Sequence, residues 1–388
     1  MQFIKDGPDV PDSLLEAHEE GRVVFFCGAG ISYPAGLMGF RGLVDQLFEA
    51  LGQTPDPEQK KAICDKQFDK AIGLLEERHV GRRDGVRLKI KEILSTDTNS
   101  NHDTHSALLT LAKTRNNKLR LITTNFDRLF EHAINDQGGH IKGFTAPFLP
   151  IPKLHWDGLV YLHGRLPENN DQSDLNNLVI TSGDFGNAYL MEGWAARFVC
   201  ELFRNFTVVF VGYSIEDPVL RYMVDALAAN KQQGEDTLEM FAFCSFKSGK
   251  KEESAREWQA KNVTPILYLE ENNHVFLHET FHKWAETYRD GIWGKERIVN
   301  EIAHLRPDNS TKSDDYVSRL IWALSDPSGH PARKFAELEP VPSLEWLKYF
   351  SENRFKYKDL RRFGIISNGS DNNDMVFRVC TQIIQTML

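Results

Sequence analysis

The chain has 388 residues and a formal net charge of −9, with 41% hydrophobic and 26% charged residues. That length supports about two domains with real cores, and the mix is that of a globular protein. No apolar run reaches the ~20 residues that span a bilayer, and the negative balance argues against broad binding to nucleic acid or anionic membranes.

The N-terminus, Met1-Gln2-Phe3-Ile4-Lys5-Asp6-Gly7-Pro8, has no secretory core, so the cytoplasm is the expected compartment. Val23–Cys27 is the first strong signal, a short apolar strand that empties into Gly28-Ala29-Gly30-Ile31-Ser32. A strand, a Gly-x-Gly turn and a helix together bring backbone N–H groups close to a pyrophosphate. The same turn also joins strands to helices in sheets that bind nothing. Leu43, Val44, Leu47, Phe48 and Leu51 then form one helical stripe, stopped at Gly52.

Between Gly52 and Lys118 there is no strand signal. Glu58–Gln67, Phe68–Arg78, Gly85–Leu94 and Thr104–Lys113 read as helices, which predicts an inserted helical layer over about 52–118. Further strands are expected at Leu119–Thr123, Leu159–Leu162, Leu178–Thr181, Thr207–Gly212, Met240–Cys244 and Pro265–Leu269. Their near-continuous apolar character fits strands covered on both faces. The predicted class is therefore α/β, a Rossmann-like parallel sheet with helices on both faces. Phe281, Trp284, Ala285 and Tyr288 outline a helix closing this first domain, 1–294.

Residues 295–388 are expected to form a helical extension. Pro307–Ser313 is a polar break, and Tyr316–Leu324, Ser343–Glu352 and Phe377–Met387 are amphipathic pieces. The last pattern reaches the end of the chain uncapped, as in a longer polypeptide or a helix docked on a partner. Cys27, Cys64, Cys200, Cys244 and Cys380 form no CxxC pair, so neither a disulfide framework nor a zinc site is expected.

Polar residues gather at the predicted strand ends, where open α/β sheets place ligands. After Thr123 come Thr124, Asn125, Phe126 and Asp127; after Leu162 come His163 and Gly164; after Val211 come Gly212, Tyr213 and Ser214. Asn125 or Asp127 could instead cap the following helix, and Asp217-Pro218 reads as an N-cap and first turn. Asp184, after another predicted strand, has no role assignable from spacing. An imidazole near neutrality can take a proton from a hydroxyl or water. The chain has thirteen histidines; His102, His105 and His155 read as structural or exposed.

The succession Gly28-Ala29-Gly30-x-Ser32, Gly36-Leu37-Met38-Gly39-Phe40-Arg41, Thr123-Thr124-Asn125-Phe126-Asp127, His163-Gly164 and Gly212-Tyr213-Ser214 resembles the sirtuin family of NAD-consuming enzymes. The resemblance covers about residues 15–290. The sirtuin pattern carries Asp where Gly39 stands and Gln where Thr124 stands, which removes the contacts those side chains supply. By resemblance, Gly28, Ala29, Gly30 and Ser32 cradle the phosphates, and Arg41 meets phosphate or ribose unless it is simply a surface arginine. Asn125 holds the ribose and a water near C1′, while Phe126 and Asp127 contact the nicotinamide carboxamide, beside Thr124. His163 is the proton acceptor, and Gly212 and Ser214 bind cofactor.

The resemblance implies NAD⁺ as substrate, with Asn125 and His163 as the catalytic pair. Cleaving the nicotinamide–ribose bond needs chiefly positioning and electrostatics, because nicotinamide leaves readily. The expected activity is NAD⁺ hydrolysis to nicotinamide and ADP-ribose, as in the sirtuin-like effectors of bacterial antiphage defence. Such an enzyme needs an off-state, which implies a homo-oligomer and an activating phage protein or companion ATPase. Protein-deacylating sirtuins usually carry a four-cysteine zinc ribbon, absent from this sequence. Deacylation and a non-catalytic NAD or ADP-ribose sensor are the alternatives; a pure sensor has no need of both Asn125 and His163.

Overall fold

The computed structural model describes residues 1–95, 100–168, 172–214, 223 and 238–350. Asp12–His278 forms one compact unit, and Met1–Pro11 with residues 279–350 forms a second.

The larger unit is built on a seven-stranded parallel sheet, whose strands are β1 Val23–Cys27, β2 Arg120–Thr123, β3 Gly143–Thr145, β4 Gly158–Tyr161, β5 Thr207–Val211, β6 Met240–Phe246 and β7 Thr264–Leu269. They lie in the order β3-β4-β2-β1-β5-β6-β7. The chain leaves β1 toward β2 on one side and later returns to place β5 on the other. β1 is thus the switch point, where open α/β sheets hold their ligands beyond the carboxyl ends of the strands.

Every residue of β1, β2, β4 and β5 is buried, as expected where both faces are covered. Side chains alternate across the sheet, so Val24, Phe26, Ile122, Val160, Val208 and Phe210 fall into one cluster. The helix Trp194–Asn205 supplies Phe198, Val199, Leu202 and Phe203 to it.

After α1 Asp12–Glu19 and α2 Phe40–Ala50, the helical insertion is present as α3 Pro57–Cys64, α4 Phe68–Arg78, α5 Arg82–Leu94 and α6 Asp103–Ala112. Its core joins Leu43, Val44 and Leu47 to Ala71, Ile72, Leu75, Val86 and Ile90. Asp56 and Gln59 start α3 with a reciprocal capping box. Beyond β2, α7 spans Leu129–Asp136 and α8 spans Gln172–Asn176.

Two expectations are corrected. The Gly28–Gly30 turn opens onto a 3₁₀ segment, Ala29–Ala35, because Pro34 and the left-handed Gly36 interrupt a regular helix. Leu178–Thr181 forms no strand. Thr181 instead caps a short helix, α9 Ser182–Phe185, with Asp184 completing the capping box, and Leu178 and Ile180 pack into the insertion's core. The short β3 had no counterpart among the predicted strands.

In the second unit, helices at Ile292–Ile302, Tyr316–Leu324 and His330–Ala336 bury Ile298, Val299, Leu320, Ile321 and Phe335 around Trp346. The Trp346 indole N–H reaches the carbonyls of Ala303 and Leu305, each at 3.1 Å. Within Ser343–Glu352 the described residues give a helix at Trp346–Phe350, preceded by a turn, and 351–352 lie outside them. The Phe377–Met387 helix and the Asp217-Pro218 cap lie outside the described residues. Among the described residues, no helix is long and apolar enough to cross a membrane.

Candidate active site

Three strands end on one row: Cys27 pairs with Thr123, and Thr123 with Tyr161. The loops after them therefore leave the sheet at the same level. Thr124 N–H donates to the Cys27 carbonyl at 3.0 Å, and Leu162 N–H to that of Thr123 at 2.9 Å. This stitching brings Ala29, Ser32, Thr124, Asn125, Phe126, Asp127 and His163 onto one cleft, open on one side. Leu37, Met38, Phe40, Leu43 and Leu94 line it from the insertion side, with Val179 and Phe185 beside His163.

Ser32 is the hub of the polar wall. Buried to 1% exposure, its hydroxyl donates to Asp127 Oδ2 at 3.0 Å and receives the Asn125 amide Nδ2 at 3.2 Å. Asn125 Nδ2 also lies 3.3 Å from the Gly28 carbonyl, and the Asn125 N–H donates to Thr123 Oγ1. With the amide nitrogen committed, Oδ1 is the atom of Asn125 left to accept from a ligand. Asp127 Oδ1 accepts from Leu129 N–H at 3.1 Å, so this carboxylate caps the start of α7 while it faces the site. Burial raises the Asp127 pKa, against the opposing hydrogen bonds from Leu129, Ser32 and Asn125.

His163 is 2% exposed, and burial pushes its pKa down to about 3. It is a neutral imidazole at physiological pH, with one ring nitrogen a hydrogen-bond acceptor. His105, which the sequence suggested to be structural or exposed, is buried with Nε2 3.3 Å from Ser32 Oγ. Burial, reinforced by His102, His278 and His132, lowers its pKa to about 3. His155 is exposed, and His102 pairs with Asp136.

The glycines serve a different immediate purpose from the expected one. Gly28 N–H is bound to the Val211 carbonyl at 2.8 Å and Gly30 N–H to the Gly212 carbonyl at 2.9 Å. A Cβ on Gly28 would sit 2.9 Å from Gly212 O, and one on Gly30 2.9 Å from Gly212 Cα. These residues let the β1 turn press against the β5 turn, leaving Ala29 and Ser32 on the cleft. Tyr213 reinforces the contact, with its hydroxyl 2.5 Å from Thr124 Oγ1. Gly212 and Ser214 do not line the cleft, nor does Arg41, which faces solvent 3.9 Å from Asp45.

Asp184, unassigned from sequence, anchors the loop beneath Phe185. It takes the fully buried Arg87 at 2.5 Å and Arg83 at 2.8 Å, and accepts from the amides of Ile180 and Thr181. Burial alone would raise its pKa, but Arg87, these amides and Arg83 outweigh that and hold it low. Only proximity in space could have singled out His105, Asp184 and Phe185.

Comparison with known proteins follows the same outline. A family model described as the SIR2-like domain matches residues 119–266, a span that includes Asn125 and His163. Over that span the chain is similar to SIR2-like domains. An uncharacterised protein, y4cA, of Sinorhizobium fredii is 33% identical over 327 residues, which cover 82% of this chain and 27% of that protein. The NAD(+) hydrolase ThsA of Acinetobacter baumannii is 27% identical over 229 residues, covering 58% of this chain and 43% of that one. The chain thus spans between about a quarter and under half of the length of these curated relatives. A solved complex of a Sir2 homologue with NAD aligns with 73% of this chain and 96% of its own, at 16% identity and a TM-score of 0.34. The matched span begins just before β2, so it includes the loops after β2, β4 and β5, while the β1 turn precedes it.

Proposed function

We propose that this cleft hydrolyses NAD⁺ at the bond between nicotinamide and ribose, giving nicotinamide and ADP-ribose. The carrying observation is that Asn125 and His163, from adjacent parallel strands, converge on one cleft with Ser32. Asn125 Oδ1 would orient a water at C1′. A bond then forms from the water oxygen to C1′ as the C1′–nitrogen bond breaks, and the water's proton passes to the neutral imidazole of His163. The apolar wall of Leu37, Met38, Phe40 and Leu94 would exclude bulk water and strengthen these electrostatic contacts. Ala29, Ser32, Thr124, Phe126 and Asp127 would contact the rest of the substrate; the bound amides of Gly28 and Gly30 point to a supporting role for those two glycines.

The similarity to an NAD(+) hydrolase favours hydrolysis over deacylation. In the cell we read the activity as depletion of cytoplasmic NAD⁺ in antiphage defence, held off through oligomerisation or a partner. The test is incubation of the full chain with NAD⁺, with and without an acetylated peptide, and quantification of nicotinamide, ADP-ribose and acetyl-ADP-ribose. Peptide-independent ADP-ribose is expected, falling by about 10²-fold or more in Asn125→Ala and in His163→Ala, with circular dichroism unchanged. Normal turnover in either variant would sink the assignment. Acetyl-ADP-ribose formed only with peptide would establish a deacylase, and calorimetric NAD⁺ binding without turnover would leave a sensor or an enzyme awaiting its activator.

A further inference from the structure

The His163 ring is clasped by two aromatic side chains. Phe185 meets it edge-on, with centroids 5.2 Å apart at 87°, and Tyr189 stacks on Phe185 at 6.1 Å and 25°. The Tyr189 hydroxyl lies 2.9 Å from His163 Nε2. Tyr189 sits on a π-helical turn, Gly186–Met191, that continues directly from α9. Such wide turns are rare and concentrate at functional sites. This one is anchored at its start, because Asp184 is tied to Arg87 and Arg83 and to the amides of Ile180 and Thr181. The hydroxyl is therefore held by the fold.

His163 and Phe185 line the cleft, whereas Tyr189 does not. Nε2 is the nitrogen engaged by Tyr189, so Nδ1 is the second ring nitrogen of this cleft-lining residue. A neutral imidazole carries one donor and one acceptor nitrogen, and the partner of one decides the state of the other. We infer that Tyr189 is a positioning residue whose hydroxyl accepts the His163 Nε2 proton, fixing the tautomer in which Nδ1 is the free base. This rests on the hydrolase reading only in naming what Nδ1 does; the Tyr189–His163 contact itself is independent of it. Nothing in the sequence spacing, twenty-six residues apart, signals the pairing.

The experiment compares the full chain with Tyr189→Phe, which keeps the ring and its stack on Phe185. Ring ¹⁵N resonances of His163, assigned by their loss in His163→Gln, report the tautomer without any need for turnover. The unaltered chain should show a protonated Nε2 and an unprotonated Nδ1. In Tyr189→Phe the two resonances should move toward the averaged positions of an unlocked ring. Kinetically, kcat should fall about tenfold, less than the about 10²–10⁴-fold a general base supplies, with KM for NAD⁺ within about twofold. A protonated Nδ1 in the unaltered chain, or unchanged resonances in Tyr189→Phe, would overturn the inference. So would unchanged kcat, which would leave the hydrolase standing. An unaltered chain with the expected tautomer but no NAD⁺ turnover would instead overturn the hydrolase reading and leave the contact intact.

Discussion

His18, His105 and His163 are all buried in the larger unit, and burial lowers their pKa values from 6.5 to about 4, about 3 and about 3. A depressed histidine pKa means that the unfolded chain binds protons the native protein refuses. Between the native and unfolded values, stability therefore rises with pH and is lost as pH falls below about 6.5. At pH 5.5 a free histidine is protonated about ten to one, while each of these three stays neutral. Each then costs about 1.4 kcal/mol relative to pH 7.5, or about 4 kcal/mol for the three together. Any native pKa below about 4.5 gives the same figure, so the expectation rests on burial alone. Asp127, whose pKa is raised by burial, acts with the opposite sign, nearer the carboxylate range.

The assay is hydrogen exchange of the β1 amides at pH 7.5 and 5.5, corrected for the intrinsic chemical rate. β1 lies at the centre of the sheet and is wholly buried, so its slowest amides report opening of the whole unit. The free energy of opening should fall by about 4 kcal/mol. In His18→Gln, where the replaced ring bonds the Leu111 carbonyl, the fall should shrink by about a third. Equal or greater protection at pH 5.5 would refute the reasoning.

Two further outcomes are expected. Arg87→Met removes a guanidinium with 0% exposure that bonds Glu76, Asp184 and the carbonyls of Leu175 and Leu178. With Arg83 as the cation that remains beside Glu76 and Asp184, the loss should destabilise by about 3 kcal/mol, the lower end for breaking a buried pair, and lower the melting temperature of the larger unit by about 10 °C in calorimetry; an unchanged melting temperature would show that Arg83 and the backbone amides suffice to hold both carboxylates. Gly212→Ala forces a side chain at φ +73°, with Cβ 2.7 Å from the Ile31 nitrogen and 2.9 Å from the Gly28 carbonyl. The left-handed conformation alone costs about 1–2 kcal/mol, and the clash should displace Ser32, so NAD⁺ binding measured by calorimetry should weaken alongside stability. Native stability and affinity would mean that the β1 and β5 turns can separate without consequence.

Much of the scaffold was legible where local chemistry is redundant. Phe68–Arg78 and Tyr316–Leu324 were read from their apolar periodicity at the bounds they adopt, because a helix's buried stripe is written at fixed spacing. β1 was legible because an uninterrupted apolar run beside glycine has few other uses. β3 was not: one exposed and two half-buried residues at a sheet edge carry no apolar run. Leu178–Thr181 misled for the converse reason, since apolarity reports burial and says nothing of pairing. Leu178 and Ile180 pack into the insertion's core while the backbone turns into a capped helix.

The sequence by itself determined the α/β class, the helical insertion and the polar residues at the strand ends, because these follow from periodicity and from glycine's freedom to turn. Only the tertiary structure decided what those residues touch. It committed the Gly28 and Gly30 amides to the β5 turn and left Arg41 in solvent. It also chose, among thirteen histidines, His163 for Tyr189 and His105 for Ser32. Hydrogen bonds and desolvation act over a few ångströms across residues distant in the chain, and that separation in sequence is invisible to any local pattern.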